Sequence, residues 1–375
     1  MPFADFPAAA RALAPQIRER AAQIEAARAL PQDLLQSLAA AGLFQMWVAR
    51  AAGGHETDPL TNLRVIEELS RADAAVGWVV MIATGTSLYA SARLAPEVAR
   101  EIYGRDPADF SCGFVPPCGR AVEVPGGYRV SGRWYFGSGC RHAAWLMAPC
   151  WLGDEPAGGE STPPWRTFVV PARDCEILDT WNALGMRGTG SHDYTATDLF
   201  VPHERSFSLL DPPLQPGPLY AHTGLFLLNM AGVPLGLARG ALDSFAERAH
   251  SRGEGKGLAE MAQAQALVEA ARAFIYGVTG ELWETLSAGR GLPVELRARY
   301  RLALTHSFTA ATQAIDLLYQ ASGIGAIAAG SPIERAFRDA HTMAHHRSVC
   351  APTYSWIGKM LLGRVPRKAV LQQFA

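Results

Sequence analysis

The sequence predicts a mainly α-helical protein built around a central β-domain, in the order helices, strands, helices. Three observations carry this expectation. Residues 1–107 and 216–375 are rich in Ala, Leu, Arg and Glu, with apolar side chains at three- and four-residue intervals. Residues 108–215 switch to dense Gly and Pro with short alternating runs, the texture of strands and turns. At 375 residues the chain also exceeds what one hydrophobic core usually serves, so two or three domains are expected and the texture divides it into three.

The elements follow in chain order. "ARALAPQIRERAAQIEAARAL" reads as a first helix. Pro31 opens a second, "PQDLLQSLAAAGLF", which stops at Gly42. Asp58 with Pro59 behind it begins a third, because Pro has no N–H to lose in a first helical turn. The next, around "AAVGWVVMIATG", is apolar on nearly every side and belongs between layers. In the middle segment "VPGGYRV" signals a hairpin, with Gly126 and Gly127 supplying positive φ. The runs "AAWLMAPCWL", "TFVVPA", "CEILDTW" and "TATDLFVP" complete a small antiparallel barrel or sandwich. Long amphipathic stretches from about residue 224 to 323 then build a helical bundle, and a final pair is expected near 331–346 and 350–363. No internal repeat or low-complexity linker appears.

Composition excludes several classes. A net charge of −1 lacks the basic excess that nucleic-acid phosphates demand. The longest apolar runs are short and interrupted, so no membrane span is expected. The first sixteen residues carry Asp5 and no basic stretch ahead of an apolar core, which is unlike a signal peptide, and a cytoplasmic location is the default expectation. The six cysteines (112, 118, 140, 150, 175 and 350) include no CxxC pair, so free buried thiols are expected rather than disulfides or zinc.

Three motifs, in order, carry a family resemblance. "FQMWVARAAGGHETDPLTNLRVIEELSRADAAVGW", "GGYRVSGRWYFGSGC" and "LGMRGTGSHDYTATDLFVP" together resemble the acyl-CoA dehydrogenase superfamily. That resemblance implies an N-terminal helical domain, a β-barrel and a C-terminal four-helix bundle. Two departures narrow it: "SCGFVPPCGRAV" stands where dehydrogenases carry a Thr-Glu-Pro loop, and no late "YEGT" supplies a carboxylate base. The late "RDAHTMAHHRSVCAP" is instead similar to the two-component, reduced-flavin-dependent monooxygenases of this fold. The resemblance implies reduced FMN or FAD delivered by a separate flavin reductase, O2 as co-substrate and a flavin C4a-hydroperoxide. It further implies an aromatic or heteroaromatic substrate and a homotetramer. The chain has no GxGxxG after a strand, which fits an external reductase.

Site residues follow from the same comparison. His346 ends the "RDxxxxxxH" run and corresponds to the catalytic histidine, a neutral imidazole able to take a proton from a phenol or indole N–H. Ser138 and Gly139 occupy the "FGSG" turn that lies by the flavin in that family; by itself the turn is ordinary. Phe136 joins them as a cofactor contact and Trp78 as a pocket residue, although aromatics of this kind also fill cores. Arg187, set among Gly185, Gly188 and Gly190, is either a flavin or substrate contact or part of a structural turn. Arg338 either pairs its helical neighbours or reaches a flavin phosphate, and Gly323 marks the turn that meets flavin across a subunit boundary. His341 and His345 are four apart, a metal-like spacing on a helix, but the glutamate of HExxH is absent and no third ligand is near. No metal is expected, and both serve as pocket or packing residues. The rival readings are an acyl-CoA dehydrogenase using Glu281 or Glu334, an N- or S-oxygenase of the same fold, and a non-catalytic flavin-binding protein.

Overall fold

The computed structural model describes residues 5–113, 115–153, 164–209, 211–252 and 256–364. The tail 365–375, counted with the bundle, and residues 1–4 of the leader reading lie outside them.

Five helices come first: α1 (Phe6–Ala27), α2 (Gln32–Ala40), α3 (Pro59–Ala72), α4 (Ala74–Arg93) and α5 (Pro96–Tyr103). The Asp58 carboxylate accepts the Thr61 N–H and so caps α3 with Pro59 at its first position, as expected. The Asp73 carboxylate caps α4 by accepting the N–H groups of Ala75 and Val76. Among the described residues α4 is the one helix long and apolar enough to cross a membrane, and it is buried nearly throughout inside the protein.

Among the described residues eight strands follow: β1 (Ser111–Gly113), β2 (Gly119–Val124), β3 (Gly127–Gly137), β4 (Trp145–Leu152), β5 (Trp165–Pro171), β6 (Glu176–Leu178), β7 (His192–Pro202) and β8 (Ser206–Phe207). Their order is β6-β7-β3-β2-β4-β5-β8, with β1 beside β4. The sheet is mixed rather than antiparallel, because β4 returns alongside β2 and β1 in the same direction. Local alternation in sequence reveals a strand but not which distant strand it joins. In the β2–β3 hairpin only Gly126 takes positive φ (+85°). Gly127 has another reason to lack a side chain: a Cβ there would meet the Val201 carbonyl oxygen at 2.3 Å.

The bundle contains α6 (Gly232–Arg252), α7 (Leu258–Ser287), α8 (Val294–Ala321), α9 (Pro332–Met343) and α10 (Pro352–Leu361). Glu67 on α3 ties it to the N-terminal helices. This carboxylate, 1% exposed, accepts from Arg239 (2.7 Å), Arg272 (2.8 Å) and Tyr276 (2.5 Å). Helix α9 ends three residues earlier than the expected 346, because the chain past Met343 is held by other elements: Arg301 of α8 donates to the Ser348 carbonyl at 2.7 Å and the His346 ring packs on Trp78. His345 and His346 therefore lie on a turn, and helical spacing does not relate them to His341. None of the six cysteines forms a disulfide; Cys112, Cys140 and Cys150 are buried, but Cys118 is exposed, unlike the expected buried thiol.

Candidate active site

Trp78 is the hub. It lies one turn into α4, and its indole N–H donates to the Ser138 hydroxyl at 3.1 Å across the gap to the β-domain. The same ring meets His346 edge to face, with centroids 5.7 Å apart. Three residues from three regions of sequence are thus brought together. Ser138 itself sits where β3 ends, beside an irregular register against β7 between Trp134 and Gly137. That irregularity swings Phe136 outward at φ +56°, 61% exposed, with its ring edge-on to Trp181. Gly139 follows at φ +80°, its N–H donated to the Thr189 carbonyl.

The hydroxyl of Ser138 continues into a chain. Ser138 Oγ and Ser191 Oγ are 2.7 Å apart, Ser191 Oγ and Thr189 Oγ1 2.6 Å, and Thr189 donates to the Met186 carbonyl at 2.8 Å. Thr189 and Ser191 are not among the site residues expected from sequence: they lie in the turn just before β7, outside any strand or α-helix periodicity.

Helix α9 organises both sides of this group. Its apolar face buries Ile333, Ala336, Ala340 and Met343, and Asp339 is buried with them. Asp339 accepts the Met186 N–H at 2.5 Å, Thr342 accepts the Gly185 N–H at 2.9 Å, and Arg338 donates to the Leu184 carbonyl at 3.0 Å. Three successive residues of the loop that carries Thr189 and Ser191 are thereby pinned, and the turn after α9 delivers His346. Burial, with Asp73 nearby, pushes the Asp339 carboxyl up to about 7; burial pushes Asp73 up to about 6.

Burial, reinforced by Arg347 and Arg301, lowers the His346 imidazole to about 4, so the ring is neutral near pH 7, as expected. Its Nδ1 accepts the Ser348 backbone N–H at 3.3 Å. A neutral ring held this way carries its proton on Nε2 and offers an N–H donor. A base role at Nε2 would require the other tautomer and the loss of that backbone bond.

The remaining expected residues divide. Gly185, Gly188 and Gly190 make close approaches to the protein itself: a Cβ would meet the Arg338 carbonyl oxygen at 2.2 Å, an Ile24 methyl at 2.2 Å and the Arg28 carbonyl oxygen at 2.7 Å. Arg187 turns to its own loop, donating to Asn182 and the Ala183 carbonyl. Arg338 pairs with Glu334 and, at 2.5 Å, with Glu25, which is the structural one of its two readings. His341 bonds Asp316 at 2.8 Å and packs on Phe337 along the α8–α9 seam, and His345 is exposed. Neither therefore joins the Trp78 group as a pocket residue. Gly323 ends α8 on an exposed turn at φ +54°. No cluster of three or more potential metal ligands occurs among the described residues. The carboxylates open to a dehydrogenase are paired, Glu281 with Arg299 and Glu334 with Arg338.

Comparison with known proteins follows the same line. Residues 6–106 match the family model "Acyl-CoA dehydrogenase, N-terminal domain" and residues 228–350 the model "Acyl-CoA dehydrogenase, C-terminal domain". The chain is 30% identical to indole-3-acetate monooxygenase of Pseudomonas putida, over 93% of this chain and 91% of that protein. It is also 30% identical to the flavin-dependent monooxygenase oxygenase subunit HsaA of Rhodococcus jostii, over 89% and 92%. Among solved structures, 3-HSA hydroxylase from Rhodococcus sp. RHA1 superposes with a TM-score of 0.90 at 27% identity, covering 99% of this chain and 100% of that one. XiaF from Streptomyces sp., solved with FADH2 and glycerol, gives 0.87 at 26%, covering 97% and 96%.

Proposed function

Since the chain belongs to the flavin-dependent monooxygenases built on the acyl-CoA dehydrogenase fold, we propose that it is the oxygenase component of a two-component system. It inserts one oxygen atom from O2 into an aromatic substrate, using reduced FMN or FAD brought by a separate reductase. Full-length similarity to oxygenase subunits supports this, and the observation that carries it to a site is the Trp78–Ser138–His346 group beside the exposed Phe136 ring.

These residues fit a flavin. A flat, largely apolar ring with a polar edge suits an exposed aromatic face next to one buried hydroxyl, Ser138 being 5% exposed. Bound reduced flavin supplies the electrons that activate dioxygen. Ser138 receives the polar edge of the ring, Gly139 allows close backbone approach, and Phe136 covers its apolar part. Trp78 holds Ser138 in place and closes the site toward α4, excluding water. His346 meets the substrate. Its Nε2–H suits an oxygen on the aromatic ring, which favours a phenol bound as its phenolate: the bond stabilises the anion, whose ring is electron-rich enough to take the oxygen atom. The paired states of Glu281 and Glu334 count against thioester dehydrogenation. The protein also assembles as a homotetramer, supported by Ile324 and Ile327, 87% and 65% exposed in a single chain beside Gly323.

The direct test mixes the protein with photoreduced FMN or FAD and a panel of phenols and indoles, then admits 18O2. One labelled atom in a hydroxylated product is expected. No labelled product with either flavin, together with bleaching of oxidised FAD by an acyl-CoA, would replace this reading with a dehydrogenase.

A further inference from the structure

We infer that Thr189 and Ser191 are positioning residues that set the direction of the Ser138 hydroxyl, holding it as a hydrogen-bond acceptor and thereby selecting reduced over oxidised flavin. The inference rests on the reading that flavin lies against Ser138.

The argument is a count of protons. Each hydroxyl has one proton to give and can accept two bonds. The chain Ser138–Ser191–Thr189–Met186 carbonyl has separations of 2.7, 2.6 and 2.8 Å. Its far end is a carbonyl, which can only accept. If Thr189 donates to that carbonyl, Ser191 must donate to Thr189 and Ser138 to Ser191, so all three protons are used inside the protein. In the reverse arrangement Thr189 donates to Ser191 and Ser191 to Ser138. Only two bonds are then made, and the Ser138 proton is left over in a site that is 5% exposed. The first arrangement therefore prevails.

Its consequence falls on Ser138. One lone pair takes the Trp78 N–H at 3.1 Å, the proton goes to Ser191, and one lone pair remains. The backbone offers no competing donor there: the Ser138 N–H goes to the Phe136 carbonyl at 2.9 Å and the Gly139 N–H to the Thr189 carbonyl at 2.8 Å. What this point presents to a ligand is an acceptor. Reduced flavin carries a proton on N5 and can donate to it; oxidised flavin has a lone pair on N5 and is opposed. Residues 189 and 191 thus act through Ser138 without touching the flavin.

The experiment measures dissociation constants for reduced and oxidised flavin, anaerobically, in wild type and four variants, with circular dichroism to verify folding. Wild type should bind reduced flavin more tightly. Ser191→Ala frees the Ser138 proton to point at N5, and Thr189→Val turns the Ser191 proton onto Ser138 with the same result. Each should lower the reduced-to-oxidised preference about tenfold, the worth of one such bond, equivalent to a fall of about 30 mV in the two-electron potential of the bound flavin. Thr189→Ser keeps the hydroxyl and should keep the wild-type preference. An unchanged preference in both Ser191→Ala and Thr189→Val overturns the inference. So does an unchanged preference in Ser138→Ala; in either case flavin binding by wild type leaves the functional reading standing. Wild type that binds neither flavin state defeats both.

Discussion

At residue 346 a glutamine and an alanine should behave differently. If the ring serves the substrate as a donor, Gln retains an N–H and His346→Gln should lose about tenfold in kcat, whereas His346→Ala should lose about a hundredfold or more. Equal losses in the two variants would return the residue to the role of proton acceptor. The pH profile makes the same point separately. The imidazole is lowered to about 4, so protonation sets in only as pH falls toward that value, and kcat should be flat with respect to this group from about pH 5 to 9. A limb near 6.5 that disappears in His346→Gln would contradict it. Ser138 and His346 were legible because each stands inside a short motif. Thr189 and Ser191 were not, because they become neighbours of Ser138 only when β3 and β7 pair with Gly137 opposite His192. Register between strands so far apart in sequence leaves no local mark.

Among the elements, α9 and α3 make distinct commitments. Asp339 is protonated more readily in the fold than in the unfolded chain, its carboxyl being raised to about 7 by burial and by Asp73. Its contribution to stability is therefore full below the ordinary carboxylate range and is lost as pH rises through about 7. Asp339→Asn keeps an acceptor for the Met186 N–H and has no charge to bury. Relative to wild type it should gain about 2 kcal/mol between pH 5.5 and pH 8 in urea denaturation, and a difference independent of pH would refute the assignment. Glu67 on α3 differs in kind, since two guanidinium groups and a phenol hydroxyl surround it with donors. Glu67→Ala should cost about 3 kcal/mol by leaving Arg272 and the Tyr276 hydroxyl without their carboxylate, while Arg239 keeps Glu68 at 3.3 Å; a loss below half that would show the freed groups finding water instead. The helices themselves were readable from periodicity and from caps such as Asp58. The end of α9 and the parallel placement of β4 were not, since both are decided by packing against distant segments.

For the molecule as a whole, the exposed Ile324 and Ile327 bear on assembly. Ile324→Asp with Ile327→Asp should shift sedimentation from a species near four chains of 40.3 kDa toward smaller ones. Unchanged sedimentation would place the subunit contacts elsewhere. The layout of α9 has a further consequence for anyone redesigning the enzyme. One rigid rod holds the loop that orients Ser138 and, past its end, the turn that presents His346. On the proposed roles of Ser138 and His346, mutations along it should alter cofactor preference and substrate handling at once, so libraries aimed at new substrates should spare 332–346.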